Sequence, residues 1–201
     1  MSKAPYKGMR ALVIGGTQGL GLAISRRLIE DGAEGVIIAG RDCGRGRMAA
    51  ASIGAEYIQA DLADSQSILA LVDAAEGRLG VLNALVNAGA LTDRGSVLDT
   101  TPEIWDKMMV ANARSPFFAI QRVAQRAIAE GQDASIVNIL SMVVHCGQSF
   151  LAPYSASKAA LAFKWHVEPV TAEERLKTLQ PQRYLRASKY WATATPMVFG
   201  H

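Results

Sequence analysis

The chain of 201 residues is poor in the groups that build metal centres and disulfide frameworks. Its two cysteines, Cys43 and Cys146, lie far apart with no CxxC spacing. That excludes a disulfide scaffold and a thiolate zinc site, and it leaves reduced thiols as the expected state. The three histidines, His145, His166 and His201, have no ligand spacing, so no metal site is expected. Aromatic residues make up 6% and nowhere interleave with a basic run; the net charge is +3 with both signs interspersed. No nucleic-acid partner follows from that pattern, despite a pI near 9. No apolar run approaches the ~20 residues of a membrane span. The opening MSKAPYKGMR passes straight into ALVIGG, too short for the apolar part of a signal peptide. A cytoplasmic protein without a membrane partner is the expectation.

What is present is a core. Half of the residues are apolar, enough to bury one substantial interior. Apolar runs at residues 10–16, 35–39, 56–60, 81–86 and 136–140 read as strands. Between them lie helical patterns: one from Leu20 to the Asp31-Gly32 stop, one near 48–53, and one at 65–76. A longer one is capped by Thr100 or Thr101, with Pro102 in its first turn and Glu103 completing a capping box with Thr100. It runs through Asn112 towards Ile128, with a break or bend expected at Pro116. A fifth helical pattern starts at Tyr154, after a loop holding Gly147 and Pro153. Strand and helix alternate throughout, without low-complexity tracts or other repeats. The pattern predicts an α/β fold: a doubly wound, three-layer α/β/α sheet of parallel strands.

Particular residues fall at the strand ends. The first strand runs into GGTQGLG, residues 15–21. Gly15 permits a tight turn, Gly19 lets backbone approach a pyrophosphate, and Gly21 allows helix to pack on strand, with the helix N-terminus facing the anion. Arg41 ends the second strand, where a guanidinium suits an adenosine 2′-phosphate. Asp42 follows it and keeps a 2′-hydroxyl, hence NAD, open as the alternative. Arg45 and Arg47 are further cations there, of a kind more often simply solvated. Asp61, after the third strand, is an acceptor for an adenine amino group or an ordinary turn residue. Tyr154 and Lys158, four apart, share a helix face, and a cation beside a phenol favours the phenolate. Ser141, after the fifth strand, is placed to hydrogen-bond a substrate oxygen. Each of these alone has a bland reading as turn, cap or solvated surface.

In this order, GGTQGLG, Gly40-Arg41, Asp61-Leu62, LVNAGA at residues 85–90, Asn112, Ser141 and YSASK at 154–158 resemble the short-chain dehydrogenase/reductase family, in its form with a single Rossmann-like domain. The resemblance spans about 10–164. It implies NADP as cofactor, with NAD the alternative, held by Gly15, Thr17, Gln18, Gly19, Leu20, Gly21, Arg41, Asp61, Leu62, Asn87, Ala88, Gly89, Tyr154 and Lys158. It implies Tyr154 as general acid/base, with Lys158 lowering its pKa and binding the nicotinamide ribose. Ser141 would orient the substrate oxygen, and Asn112 would hold a water in a relay towards Lys158. The implied substrate is a small carbonyl compound or secondary alcohol, and the implied assembly a homodimer or homotetramer. Met108, Met109, Phe117 and Phe118 read as core or interface rather than as a substrate box. The family's NNAG stands here as NAGA, which aligns Asn87 with its first Asn or shifts the motif by one, and Ile14 replaces a usual Thr.

After 164 the pattern departs. Pro169 would end the helix, Thr171 with Glu174 could cap a short one, and no strand-like run or Pro-Gly turn follows. Residues 1–164 therefore read as the dinucleotide-binding and catalytic domain. Residues 165–201 read as an atypical tail, altered or truncated, with the last strands of the sheet missing. A non-catalytic dinucleotide-binding protein is the competing expectation.

Overall fold

Strand β1 (Arg10–Ile14) is fully sandwiched: Ala11, Leu12 and Val13 are all at 0% exposure. A strand buried on both faces needs helices on both faces, which is what a parallel sheet with crossover helices provides. The structure is a computed structural model and describes residues 5–146 and 148–162, plus the backbone of 197–198. From β1 the chain runs through α1 (Gly19–Glu30), β2 (Gly35–Gly40), α2 (Cys43–Ile53), β3 (Glu56–Gln59), α3 (Ser65–Leu79) and β4 (Ala84–Asn87). It continues with α4 (Pro102–Met109), a π-helical turn (Val110–Arg114), α5 (Ser115–Ala129), β5 (Ser135–Asn138), a 3-10 turn (Met142–Val144), α6 (Ala152–Ala162) and β6 (Met197–Val198).

The sheet order is β3-β2-β1-β4-β5-β6; the first five strands are parallel, and β6 is antiparallel to β5. Alternation along each strand divides the interior in two. Leu12, Ile14, Ile37, Leu85 and Ile136 pack on one side with Ile68, Leu71 and Val72 of α3 and Ile120 and Val123 of α5. Ala11, Val13, Ile38 and Val86 pack on the other with Leu28 of α1 and Ala49 and Ala50 of α2. This is the expected doubly wound α/β sheet. The tail corrects one expectation: Met197 pairs with Ile136 and Val198 with Ser135, so the backbone of a short strand covers part of β5 where none was anticipated. The short helix expected after Thr171 and the break at Pro169 lie outside the described residues.

Boundaries moved for identifiable reasons. Helix α2 starts at Cys43, earlier than the polar glycine-rich stretch suggested, because Asp42 caps it by accepting from Arg45 N at 2.9 Å. Its Gly46 is a packing residue: a Cβ there would meet the Tyr57 ring at 2.1 Å. The cap of α4 is Thr101, not Thr100, whose hydroxyl instead bonds back to Ser96 O at 2.6 Å. The bend expected at Pro116 is the π turn just before it. Pro116 has no N–H to give the carbonyl of Asn112, and a locally widened turn absorbs that loss. Helix α6 starts at Ala152, so Pro153 lies in its first turn rather than in the preceding loop.

Candidate active site

Parallel strands all end on one edge of the sheet, so the turns after β1, β2, β3, β4 and β5 meet there. That brings Gly15, Arg41, Asp61, Asn87 and Ser141, distant in sequence, to a single edge. The strand order reverses between β1 and β4, where open α/β sheets form their ligand crevice. At that point the two turns touch. Gly15 has φ +81, and a Cβ on it would lie 2.3 Å from Gly89 N. Ala88 N and Gly89 N both donate to Ile14 O, at 2.9 and 2.8 Å. Asn87, at the end of β4, therefore stands beside the glycine turn.

The opening of α1 differs from those of the next three helices. Asp42, Asp64 and Thr101 cap α2, α3 and α4 with side-chain oxygens, whereas Gln18, the N-cap of α1, makes no such bond. The first N–H groups of α1 keep their need for an acceptor. Gly19, with φ +54, has nothing within 4 Å of where its Cβ would be, so this face of the turn is open. Gly21 closes the other side, since a Cβ would meet Gly15 O at 2.3 Å. Leu20 is exposed beside it, and Thr17 packs over Gly40. Open backbone donors at a helix N-terminus over an uncrowded glycine fit a pyrophosphate.

Arg41 is exposed, and among the described residues no carboxylate pairs with it. Asp42, which had kept NAD open, is engaged: one oxygen caps α2 and the other lies 3.7 Å from Arg45 Nη2. Arg45 Nη1 in turn donates to Gln18 Oε1 at 2.6 Å. Arg47 points elsewhere, lining a groove with Cys43, Tyr57, Gln59 and Arg78. Asp61 makes a turn, Oδ1 accepting from Ala63 N at 3.0 Å. Leu62 lies against Gly89, and its carbonyl accepts from Ser115 Oγ at 2.8 Å.

At the far side of the crevice, Lys158 is 2% exposed and donates from Nζ to Ile139 O at 2.8 Å. It lies 6.0 Å from the centroid of the half-buried Tyr154 ring. Burial lowers the Lys158 pKa to about 8. One of the three ammonium protons is spent on Ile139, leaving two to donate. Ser141 caps the 3-10 turn, Oγ accepting weakly from Val143 N at 3.5 Å. That bond uses a lone pair and leaves the hydroxyl proton available.

Asn112 is at 0% exposure, and its amide is fully engaged. Oδ1 accepts from Leu91 N and Nδ2 donates to Leu91 O, both at 2.8 Å, while Nδ2 also donates to Ser157 Oγ at 3.0 Å. Both amide protons are used within the protein. Ser157 donates on to Tyr154 O at 2.8 Å. Ser157, Leu91 and Asn138, which accepts from Asn87 Nδ2 at 2.8 Å, are site-supporting residues that sequence reasoning did not find. Ser157, inside YSASK beside Lys158, was the one with a visible signal. Among the described residues no group of three or more His, Cys, Asp or Glu stands together for a metal, and no helix is long and apolar enough to cross a membrane.

The strand order, with the glycine turn after β1 at the point where it reverses, is that of a Rossmann-like α/β fold. The family model for short chain dehydrogenases matches residues 9–164, and the chain belongs to that family. It is 38% identical to an NADP-dependent (R)-specific alcohol dehydrogenase of Lentilactobacillus kefiri, over 77% of this chain and 63% of that protein. It is 34% identical to carbonyl reductase [NADPH] 2 of Sus scrofa, over 78% and 62% respectively. The crystal structure of a short chain dehydrogenase from Burkholderia cenocepacia in complex with NADP superposes with a TM-score of 0.69 at 33% identity, covering 78% of this chain and 65% of that one. The chain thus spans about three-fifths of the length of the curated relatives it matches.

Proposed function

We propose that the protein is an NADP-dependent oxidoreductase interconverting a small ketone or aldehyde and the corresponding alcohol, with Tyr154 as general acid/base. The observation that carries this is the placement of the buried Lys158 ammonium, anchored at the end of β5 and beside the Tyr154 ring, across the crevice from an open glycine cradle. NADP in the names of similar proteins supports the choice of cofactor.

When bound, the nicotinamide would supply or accept the hydride. The chain's own residues hold and move the proton. In the reducing direction, Ser141 donates a hydrogen bond to the carbonyl oxygen, and Tyr154 gives that oxygen a proton as charge develops on it. The resulting phenolate is stabilised by the neighbouring ammonium, whose free protons can also bind the nicotinamide ribose. Asn112 acts by position: its side-chain clamp on Leu91 holds the π turn at the border of the crevice, where it supports the relay towards Lys158. The turn at 15–21 binds the pyrophosphate, and Arg41 the 2′-phosphate. Gly89 with Leu62, and Asp61 through its remaining oxygen, border the adenine side. A groove along α4, the π turn and α5, including Met109, Val110 and the exposed Phe117, suits assembly into a homodimer or homotetramer.

The family match ends at 164, and this favours a second reading: a dinucleotide-binding protein without turnover. NADPH consumption over a panel of ketones, with Tyr154→Phe as control, separates the two.

A further inference from the structure

We propose that Arg45 is a specificity-determining residue. It favours an adenosine 2′-phosphate over a free 2′-hydroxyl by holding the Asp42 carboxylate while its guanidinium reaches the glycine turn. The inference rests on the dinucleotide reading above and goes beyond it, because it concerns a residue outside both the turn and the strand end.

The argument starts from Asp42. A carboxylate at the end of β2 accepts from a ribose 2′-hydroxyl when its oxygens are free. Here a single residue engages both: Arg45 N donates to Oδ1 at 2.9 Å, and Arg45 Nη2 stands 3.7 Å from Oδ2. The same guanidinium donates from Nη1 to Gln18 Oε1 at 2.6 Å, and Gln18 immediately precedes the open Gly19. One cation therefore bridges the first turn of α2 and the N-cap of α1, four residues on from Arg41, which no carboxylate among the described residues pairs. A guanidinium carries five N–H donors, so these two partners leave donors for a phosphate. It also neutralises the negative charge that would repel one.

The orientation is built in. Gly46 admits the Tyr57 ring against α2, and Tyr57 Oη donates to Gly40 O at 2.8 Å, which sets the helix against the end of β2. Two residues further along a helix is the opposite face, and Arg47 accordingly lines the groove on the Cys43–Arg78 side. The structure assigns the role to Arg45 and not to Arg47.

Calorimetric titration of the full chain with adenosine 2′,5′-bisphosphate and with adenosine 5′-monophosphate, which differ only at the 2′ position, tests this without turnover. Wild type is expected to prefer the 2′-phosphorylated probe. In Arg45→Ala the preference should fall about tenfold, the size expected for one charge-assisted hydrogen bond. Part of the fall should be tighter binding of the monophosphate through the released Asp42 Oδ2, and that part should vanish in Asp42→Asn/Arg45→Ala. Arg47→Ala should leave the preference unchanged. The cap on α2 uses the Arg45 backbone N–H, so Arg45→Ala keeps it, and a thermal melt checks the fold. An unchanged preference in Arg45→Ala, or an equal loss in Arg47→Ala, overturns the proposal while the dinucleotide reading stands. Wild type binding neither probe removes both.

Discussion

The Asn112 side chain and the Leu91 backbone exchange two hydrogen bonds, each 2.8 Å, as two residues of a sheet ladder would. A buried amide thereby pins the segment that leaves β4 to the π turn between α4 and α5. Its second N–H continues to Ser157 and, through it, to the Tyr154 carbonyl. One residue ties together three segments that border the crevice.

Replacing Asn112 by Ala should leave Leu91 N–H and C=O without those partners. Each unsatisfied group costs roughly 1–3 kcal/mol, so urea denaturation should show a loss on the order of 3 kcal/mol. Turnover should fall with it. A stability within about 0.5 kcal/mol of wild type, the range of an ordinary surface change, would contradict the clamp.

The glycines of the turn should separate into two kinds. Gly15→Ala combines left-handed backbone with a Cβ 2.3 Å from Gly89 N, and it should destabilise the fold strongly. Gly19→Ala has only the left-handed backbone to bear, about 1 kcal/mol, because nothing lies within 4 Å. It should remain folded yet bind NADPH more weakly, by crowding the face where the pyrophosphate would approach. Melting curves with and without NADPH check both, and equal behaviour of the two variants would sink the distinction.

Lys158 should make stability depend on pH in a defined window. Burial lowers its folded pKa from 10.5 to about 8, so between those values the unfolded chain binds more protons. Stability therefore rises with pH across that window: the penalty is full below about 8 and gone above 10.5. Its size is on the order of 3 kcal/mol. Urea unfolding of wild type and Lys158→Met, compared from neutral pH to pH 10.5, should show wild type gaining on the variant. A constant difference would mean that Lys158 is not titrating in that range.

How much of this was legible depended on range. The alternation of apolar runs was enough for the parallel sheet, since strands such as Ala11–Val13 have no exposed face to disguise them. Arg41, Tyr154 and Lys158 could be marked as candidates because what singles them out is local spacing at a strand end or on one helix face. The state of Asp42 could not be read, because it depends on where Arg45 points after α2 forms. Nor could the role of Asn112, whose partners Leu91 and Ser157 lie 21 and 45 residues away. Helix α2 hid behind Gly44 and Gly46, residues that ordinarily mark turns, until Tyr57 supplied the reason for Gly46. The pairing of Met197 with Ile136 joins residues with no local signal at all.

The most direct test is NADPH oxidation by the full chain over a panel of small ketones and aldehydes, measured together with NADPH affinity. The account predicts turnover of at least one carbonyl compound. In Tyr154→Phe the rate should fall by about a hundredfold or more, the usual contribution of a positioned acid, with NADPH affinity nearly unchanged. NADPH bound but no carbonyl reduced, or turnover that survives in Tyr154→Phe, would contradict it.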